Sequence, residues 1–320
     1  MKTKSNSMSL INMQCHSIKT PHTRISKAIL LLVAIAGMTG CKSNPDSSTA
    51  TDAPPSAPGL SLGIESVPNL RDLGGYETSD GATVVGGLVY RSNQLASISP
   101  GDMEKLAQLG LKNDYDLRTE AERTPLPDEL PPGVNNVWLD VLKDASGSAP
   151  TNLLALLQDP KEGNKALGGG KIEATFIKSY RDFISLPSAR TAYRELFTSL
   201  ADQSKLPALF HCTTGKDRTG WAAAALLTLL DVPKKTIMED YLRSNDYILP
   251  LYKEVIDSFV DGGGESSIPQ AIFGVKVEYL EASFDEMESK YGTIENYFSE
   301  ALGIDAAAQK ALRDIYLESH

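Results

Sequence analysis

The fold is decided by one stretch of sequence, His211-Cys212-Thr213-Thr214-Gly215-Lys216-Asp217-Arg218-Thr219-Gly220. A short apolar run at residues 206–210 precedes it, and a segment rich in alanine and leucine, residues 221–230, follows it. This order predicts a buried strand, a polar loop and a buried helix. Pro207 lies at the start of the predicted strand, where a missing N–H is tolerated.

The predicted loop has the composition of an anion-binding site. Backbone N–H groups of residues 213–218 can converge on the oxygens of a phosphate group, and the N-terminus of the next helix adds partial positive charge. The same field lowers the pKa of a cysteine thiol and makes its thiolate a nucleophile, while arginine can bind two phosphate oxygens at once. A threonine hydroxyl can donate to the sulfur when the thiolate leaves. We therefore predict catalytic roles for Cys212, Arg218 and Thr219, and substrate contacts for Thr213, Thr214, Gly215, Lys216 and Asp217.

Two other interpretations of the loop fail on its residues. A nucleotide-binding P-loop requires glycine where Phe210 stands and Ser or Thr after the lysine, where Asp217 stands. A metal site is disfavoured because His211 and Cys212 are adjacent and the sequence has no second cluster of Cys and His. The sequence therefore predicts no metal and no cofactor.

The N-terminus has the pattern of an export signal. Residues 1–27 contain five basic and no acidic side chains, and an apolar run at residues 28–36 follows them. Met38-Thr39-Gly40-Cys41 resembles the lipobox of bacterial lipoproteins, which implies acylation of Cys41. We expect a lipoprotein signal peptide at residues 1–40, a flexible tether at 41–66, and a protein exported and lipid-anchored on the periplasmic or extracellular face of a bacterial membrane. Met8 and Met13 are alternative starts.

Charge and cysteine content narrow the possible partners. Removal of the five basic residues of the leader takes the formal net charge from −10 to −15. Because an acidic chain repels a polyanion, nucleic acid is not expected as a partner. Cys15 lies in the leader and Cys41 would be acylated, so Cys212 would be the one remaining thiol and no internal disulfide could form.

The rest of the chain predicts an α/β fold, a central sheet flanked by helices with a helical C-terminal half. Asp231-Val232-Pro233 resembles a helix start, and residues 262–264 a break between helices. Strands are expected at residues 84–90, 111–117, 134–139 and 206–210, and helices at residues 100–109 and 176–186.

The loop resembles that of the bacterial cysteine-dependent tyrosine and dual-specificity phosphatases related to the secreted mycobacterial enzyme. Further segments similar to this family are residues 69–75, 90–92, 116–119, 241–246, 274–279 and 291–292. The resemblance implies one phosphatase domain at residues 67–320. It also implies hydrolysis of phosphate monoesters, tyrosine phosphate above all, through a cysteinyl-phosphate on Cys212. Phosphorylated proteins are the expected substrates; phosphoinositides, and a non-catalytic phosphate-binding module, are the alternatives.

The resemblance also suggests which residues assist the reaction. It places a general acid after the strand that follows the Asp-Leu-Arg motif, where Asp144 fits the spacing best and Asp140 competes; Asp217 in the loop is a third candidate. Residues 145–171 are open to interpretation as a mobile lid or a solvated insertion. Arg71 and Asp72 are expected to support the phosphate loop, and Arg91 and Arg118 to act as hydrogen-bonding scaffolds at strand ends.

Overall fold

The computed structural model describes residues 57–146 and 150–318, with backbone alone at 150–152. The strands are β1 Arg71–Asp72, β2 Thr83–Val84, β3 Val89–Ser92, β4 Asn113–Asp116, β5 Asn135–Trp138, β6 Ala208–His211 and β7 Leu317–Glu318. The helices are α1 Pro100–Gln108, α2 Glu120–Arg123, α3 Pro150–Leu156, α4 Pro160–Leu167, α5 Lys171–Ser185, α6 Pro187–Leu200, α7 Arg218–Leu229, α8 Lys234–Leu242, α9 Ser244–Ile248, α10 Lys253–Asp261, α11 Ser267–Phe273, α12 Val277–Tyr291, α13 Ile294–Asn296 and α14 Ala306–Tyr316.

The central sheet has five strands in the order β1-β3-β6-β4-β5. Strands β3, β6, β4 and β5 are parallel, and β1 pairs antiparallel with the edge of β3. Every residue of β6 is buried, as expected of a central strand covered on both faces. The predicted α/β fold is confirmed. Because the parallel strands end at one edge of the sheet, the segments that follow β3, β4, β5 and β6 meet there.

One predicted strand is divided in the structure. The run at residues 84–90 contributes Val84 to β2, which pairs with β7, and continues as β3 only at Val89. Gly86 and Gly87 separate the two parts, and Gly87 has φ of +77°, which side chains other than glycine rarely adopt. The glycine pair therefore turns the chain from one sheet into the other.

Helix α7 is the central helix of the larger core. Eleven of its side chains, Arg218–Leu227 and Leu229, are buried, so it has no solvated face. The small Ala222–Ala225 run lets the helix approach the sheet closely, while Trp221 fills the space towards Phe284 and Tyr297. On the opposite face of the sheet a smaller core forms against Leu106 of α1. The two cores hold β6 and the N-terminus of α7 rigidly.

The C-terminal half is helical, as predicted, and residues 262–264 separate α10 from α11. Residues 145–171 include helices α3 and α4 where the sequence suggested a lid or insertion. Gly163 of α4 packs on Phe259, where an added Cβ would lie only 2.8 Å from the ring. Helix α4 is therefore docked on α10 in the structure.

The packed region begins earlier than residue 67. Ile64 is 2% exposed and belongs to the smaller core, and Ser61 forms a β-bridge with Arg71. The predicted tether therefore ends before Ile64, because this side chain is needed to cover the sheet. The predicted leader, Cys41 and most of the tether lie outside the described residues. Within the part that the structure describes, no helix has the length and apolarity needed to cross a membrane.

Candidate active site

The loop between β6 and α7 forms an open nest of backbone donors. In the described structure, no acceptor takes a hydrogen bond from the backbone N–H groups of residues 213–217. The carbonyl groups of the loop, in contrast, are held by neighbouring segments. Thr213 O accepts from Gln94 N (3.2 Å), Thr214 O from Asn69 Nδ2 (3.0 Å) and Gly215 O from Arg91 Nη2 (2.8 Å). Free N–H groups next to a helix N-terminus are an anion-binding arrangement.

Gly215 allows the loop to lie against the end of β3. Its φ is +69°, and a Cβ there would fall 2.1 Å from Ser92 O. No other residue fits without displacing the backbone. Gly215 therefore determines the shape of the loop, and its contact with substrate stays a prediction.

Cys212 lies at the base of this nest and is 1% exposed. Burial alone would raise the pKa of its thiol, but the positive charge of Arg218 and a contact with Thr219 outweigh burial, so that the pKa is lowered. Thr219 is fully buried, and its hydroxyl has no hydrogen-bond partner of full geometry in the described protein. This hydroxyl is therefore available to donate a hydrogen bond to the sulfur of Cys212.

Arg218 is oriented by a carboxylate that the sequence analysis missed. Glu122 on α2 accepts from both Nη1 and Nη2 at 2.7 Å, and Nη1 also donates to Leu117 O at 3.2 Å. Thr213 Oγ1 donates to the same carboxylate at 2.6 Å. Burial would raise the pKa of Glu122, but Arg218 and these hydrogen bonds hold it well below its usual range. The pair therefore stays ionised. The available sequence signal was the spacing Thr119-x-x-Glu122 at a helix start.

Lys216 and Asp217 turn towards α5. Asp217 Oδ1 accepts from Tyr180 Oη at 2.8 Å and from Lys216 Nζ at 2.9 Å. Lys216 is 1% exposed, and its ammonium lies 4.8 Å from the centre of the Phe176 ring. Tyr180 Oη also lies 2.7 Å from Tyr241 Oη. Contacts with α5 therefore hold the Lys216 and Asp217 side chains in place.

The three candidate proton donors occupy different positions. Asp144 is exposed and accepts hydrogen bonds from the backbone and hydroxyl of Ser188, at the start of α6. Asp140 is half-buried; burial raises its pKa, and the nearby charges of Arg218 and Glu122 act on it in opposite directions. Asp217 acts electrostatically on both Cys212 and Arg218. The structure thus places Asp217 and Asp140 near the reacting groups and Asp144 on Ser188.

The comparisons with known proteins agree with this geometry. The sequence profile described as "Tyrosine phosphatase family" matches residues 62–318. The chain belongs to this tyrosine phosphatase family. It is 31% identical over 258 residues to a protein of Cupriavidus necator assigned as a tyrosine-protein phosphatase, covering 80% of this chain and 88% of that one. It is 28% identical over 273 residues to the triple specificity protein phosphatase PtpB of Mycobacterium tuberculosis, covering 78% and 96%.

Behind the phosphate loop of this phosphatase lies a buried charged scaffold centred on Asp240 of α8. Arg71 Nη1 and Arg91 Nη1 donate to its two oxygens at 2.5 and 2.7 Å, and Tyr76 Oη donates at 2.7 Å. Because Arg91 also holds Gly215 O, the scaffold is joined directly to the loop. Asp72 accepts instead from Gly74 N and Gly87 N. Asp72 therefore shapes the turn between the sheets and does not contact the loop, contrary to the sequence expectation.

One further cluster of charged groups lies directly before the nucleophile. His211 Nε2 lies 3.5 Å from Asp114 Oδ1 and 3.4 Å from Asp128 Oδ2, and these three side chains are the metal-ligating types that converge in the described residues. Arg118 pairs with Asp116 and Asp128 and so belongs to this cluster. Burial would lower the pKa of His211, but Asp114 and Asp128 raise it well above its usual value.

Proposed function

We propose that this phosphatase hydrolyses phosphate monoesters, tyrosine phosphate above all, through a cysteinyl-phosphate on Cys212. The proposal rests on one observation. Cys212, the five unpaired N–H groups and Arg218 lie together at the N-terminus of α7. The thiolate attacks phosphorus, a P–S bond forms, and the P–O bond to the leaving group breaks as that oxygen takes a proton. Water then attacks phosphorus and gives a proton to the acidic residue that protonated the leaving group, the P–S bond breaks, and the thiolate is restored with Thr219 donating to sulfur.

Arg218 keeps a free edge for the substrate. Of its five N–H donors, Glu122 and Leu117 O take three, two from Nη1 and one from Nη2. The Nε–H and the second Nη2–H remain, and together they form the fork that binds two phosphate oxygens. Glu122 therefore fixes the guanidinium plane so that this fork is presented before substrate arrives, which lowers the cost of ordering it.

Asp217 is the proton donor that the contacts favour. The donor must reach the leaving oxygen of a phosphate held by the loop and Arg218. Asp217 lies in that loop next to Arg218, and its charge acts on both Cys212 and Arg218. Asp217 Oδ1 accepts from Tyr180 Oη and Lys216 Nζ, and these contacts fix the position of the carboxyl group in the site. Asp144, the donor that the family spacing favoured, accepts a hydrogen bond from Ser188 N, and Asp217 takes its place as the donor we propose.

Phosphoproteins are the substrate class we infer. Lys216 is the loop cation that could have bound a second phosphate, but it is buried, paired with Asp217 and packed on Phe176. A singly phosphorylated tyrosine therefore fits better than a multiply phosphorylated inositol ring. A panel of phosphotyrosine, phosphoserine and phosphothreonine peptides with soluble phosphoinositides tests this; higher kcat/KM for a phosphoinositide than for every peptide would overturn it.

The covalent mechanism is tested on Cys212 itself. Acid quenching of the full chain during turnover should leave one phosphoryl group on Cys212, detected by mass spectrometry of the peptide. Cys212→Ser should abolish turnover but retain phosphate binding, because the N–H groups and Arg218 are unchanged. Turnover at the wild-type rate in Cys212→Ser would rule the mechanism out.

We also propose that the chain is exported and anchored to a bacterial membrane through acylated Cys41. The support is the basic leader, the apolar run at residues 28–36 and the lipobox-like Met38-Thr39-Gly40-Cys41. One acyl chain binds a membrane only marginally, so two or three are expected on the terminal cysteine. Mass spectrometry of the mature protein should find an acylated N-terminal Cys41, and Cys41→Ser should move the protein to the soluble fraction. An unmodified mature terminus elsewhere would refute the anchor.

A further inference from the structure

The cluster of His211, Asp114 and Asp128 has unpaired polar atoms that face one another. His211 and Asp114 are fully buried and the Asp128 side chain is 2% exposed. Nevertheless His211 Nε2 and Asp114 Oδ1 lack a hydrogen-bond partner among the described residues. A buried polar atom without a partner costs about 1–3 kcal/mol. Two such atoms lie 3.5 Å apart, a spacing that one shared ligand would satisfy.

The other polar atom of each of these residues is already held by a donor or acceptor. Asp114 Oδ2 accepts from Asn136 Nδ2 at 2.7 Å. Asp128 Oδ1 accepts from Arg118 Nη2 at 2.7 Å. His211 Nδ1 lies 3.2 Å from Cys212 O, a carbonyl oxygen that can only accept, so Nδ1 carries a proton and Nε2 is the nitrogen that a metal ion could bind in place of a proton. Outer contacts of this kind orient metal ligands. Of the three proposed ligand atoms, Asp128 Oδ2 alone also accepts a hydrogen bond within the described residues, from Asn136 Nδ2 at 3.3 Å.

The distances from His211 Nε2 to the two carboxylates distinguish a bound metal ion from a shared proton. A charge-assisted N–H···O bond is about 2.7–2.9 Å long, whereas Nε2 lies 3.4 and 3.5 Å from the two carboxylate oxygens. Tetrahedral zinc with bonds of about 2.1 Å separates its ligands by about 3.4 Å. The three ligand atoms also lie within 4.8 Å of one another. The spacing is therefore too long for a good imidazolium pair and suits ligands around a small ion.

The charged neighbours of the cluster leave a place for a cation. Arg118 pairs with Asp116 and Asp128, and Arg123 pairs with Asp116, so among the described residues Asp114 is the carboxylate of this cluster without an arginine partner. A cation beside Asp114 would supply positive charge to this buried carboxylate. An ion could enter past Asn136, an exposed residue whose side chain covers both carboxylates.

We propose that His211 Nε2, Asp114 Oδ1 and Asp128 Oδ2 bind one divalent transition-metal ion of the zinc class. Imidazole nitrogen with two carboxylate oxygens suits Zn²⁺ and Co²⁺ better than Mg²⁺ or Ca²⁺, which prefer all-oxygen sites. The ion joins β4, β6 and the segment between α2 and β5, immediately behind Cys212. It stabilises this edge of the sheet, and it makes no contact with the phosphate nest.

The test uses the full chain with Cys15, Cys41 and Cys212 replaced by Ser, so that no thiol competes for the metal. Co²⁺ should bind with the intense visible absorption of a tetrahedral site, Zn²⁺ should displace it, and Zn²⁺ should raise the Tm. Asp114→Asn, Asp128→Asn and His211→Gln should each weaken binding by at least about 10–100-fold. Asp285→Asn, which alters an exposed carboxylate on α12, is the matched control and should bind as the parent does.

Three results would overturn the proposal. Absence of the tetrahedral Co²⁺ spectrum is the first, and undiminished binding in Asp114→Asn is the second. The third uses the parent with its ligands intact, and so does not depend on a variant that folds. If ¹⁵N NMR finds both His211 nitrogens protonated at saturating Zn²⁺, a proton occupies the site. None of these results bears on phosphate hydrolysis, which is measured on the chain with Cys212 present.

Discussion

At the scale of single residues, the chemistry of the site depends on a pair that only folding brings together. The loop residues from Cys212 to Thr219 were identifiable because they are contiguous and each fits one need of phosphate chemistry. Glu122 was not, because it lies 96 residues before Arg218 and its local pattern indicates a helix start. The proton donor is hard to assign for the same reason. Its contacts in the fold identify such a carboxylate, whereas the sequence offered only the spacing of the resembled family, which favoured Asp144.

Replacement of Glu122 tests whether the orientation of Arg218 matters. Glu122→Gln removes the charge that holds Nη1 and Nη2, so we expect kcat/KM to fall about 10–100-fold, the worth of a charged hydrogen bond of about 1.5–3 kcal/mol. Steady-state kinetics with a phosphotyrosine peptide measures this. Glu120→Gln, an exposed carboxylate on the same helix, is the control. Equal kcat/KM in Glu122→Gln and Glu120→Gln would show that Arg218 binds phosphate without being oriented by Glu122.

Replacement of the three candidate acids identifies the donor. Asp217→Asn should lower kcat strongly for phosphotyrosine and much less for an aryl phosphate whose leaving group is stable as an anion, because only the former needs a proton. Asp144→Asn should leave kcat unchanged, since its carboxylate contacts Ser188. If Asp140→Asn alone shows the dependence on leaving group, the role moves to Asp140, which lies near Arg218.

At the scale of elements, the sequence predicted the central strands within a few residues and the helical C-terminal half. It failed at Gly86-Gly87, where the chain passes from one sheet to the other, and it did not anticipate helix α4, whose Gly163 packs on Phe259. Periodicity also gave no sign that α8 carries Asp240 into the core to hold β1 and β3. That role depends on two arginines distant in sequence, Arg71 and Arg91.

Asp240 should link the stability of the fold to pH. Burial would raise its pKa, but the charges of Arg71 and Arg91 outweigh burial and lower it. A carboxyl with a depressed folded pKa contributes stability above its unfolded pKa, about 3.9, and loses it as pH falls through the folded value. Asp240→Asn should therefore lower the free energy of unfolding by about 3 kcal/mol at pH 7 and by less at pH 3.

Urea unfolding at several pH values measures this difference. Asp246→Asn, on the exposed side of α9, is the control and should change stability by less than about 0.5 kcal/mol. If Asp240→Asn lowers the free energy of unfolding by the same amount at every pH, Asp240 acts through its shape and hydrogen bonds and its charge has no part in stability.

At the scale of the whole molecule, an acidic protein binds a dianion. The formal net charge is −10, so the positive donors of the site are local and must act against a repulsive field at longer range. This field extends about 30 Å at 0.01 M salt and about 10 Å at 0.1 M. The composition thus predicts a preference among phosphopeptides that the loop itself does not encode.

Salt should change kcat/KM in opposite directions for acidic and basic peptides. With acidic residues around the phosphotyrosine, screening removes repulsion, so kcat/KM should rise several-fold from 0.01 to 0.15 M salt. With basic flanking residues it should fall, because screening removes attraction. The kcat at saturating peptide should stay nearly constant in both cases, since the bonds to Arg218 and the loop are made at short range. Two salts with different anions separate screening from competition for the phosphate nest, because an anion that binds there lowers kcat/KM for both peptides. A fall in kcat/KM for the acidic peptide in both salts would mean that local positive charge at the site, and not the net charge of the molecule, governs the approach of substrate.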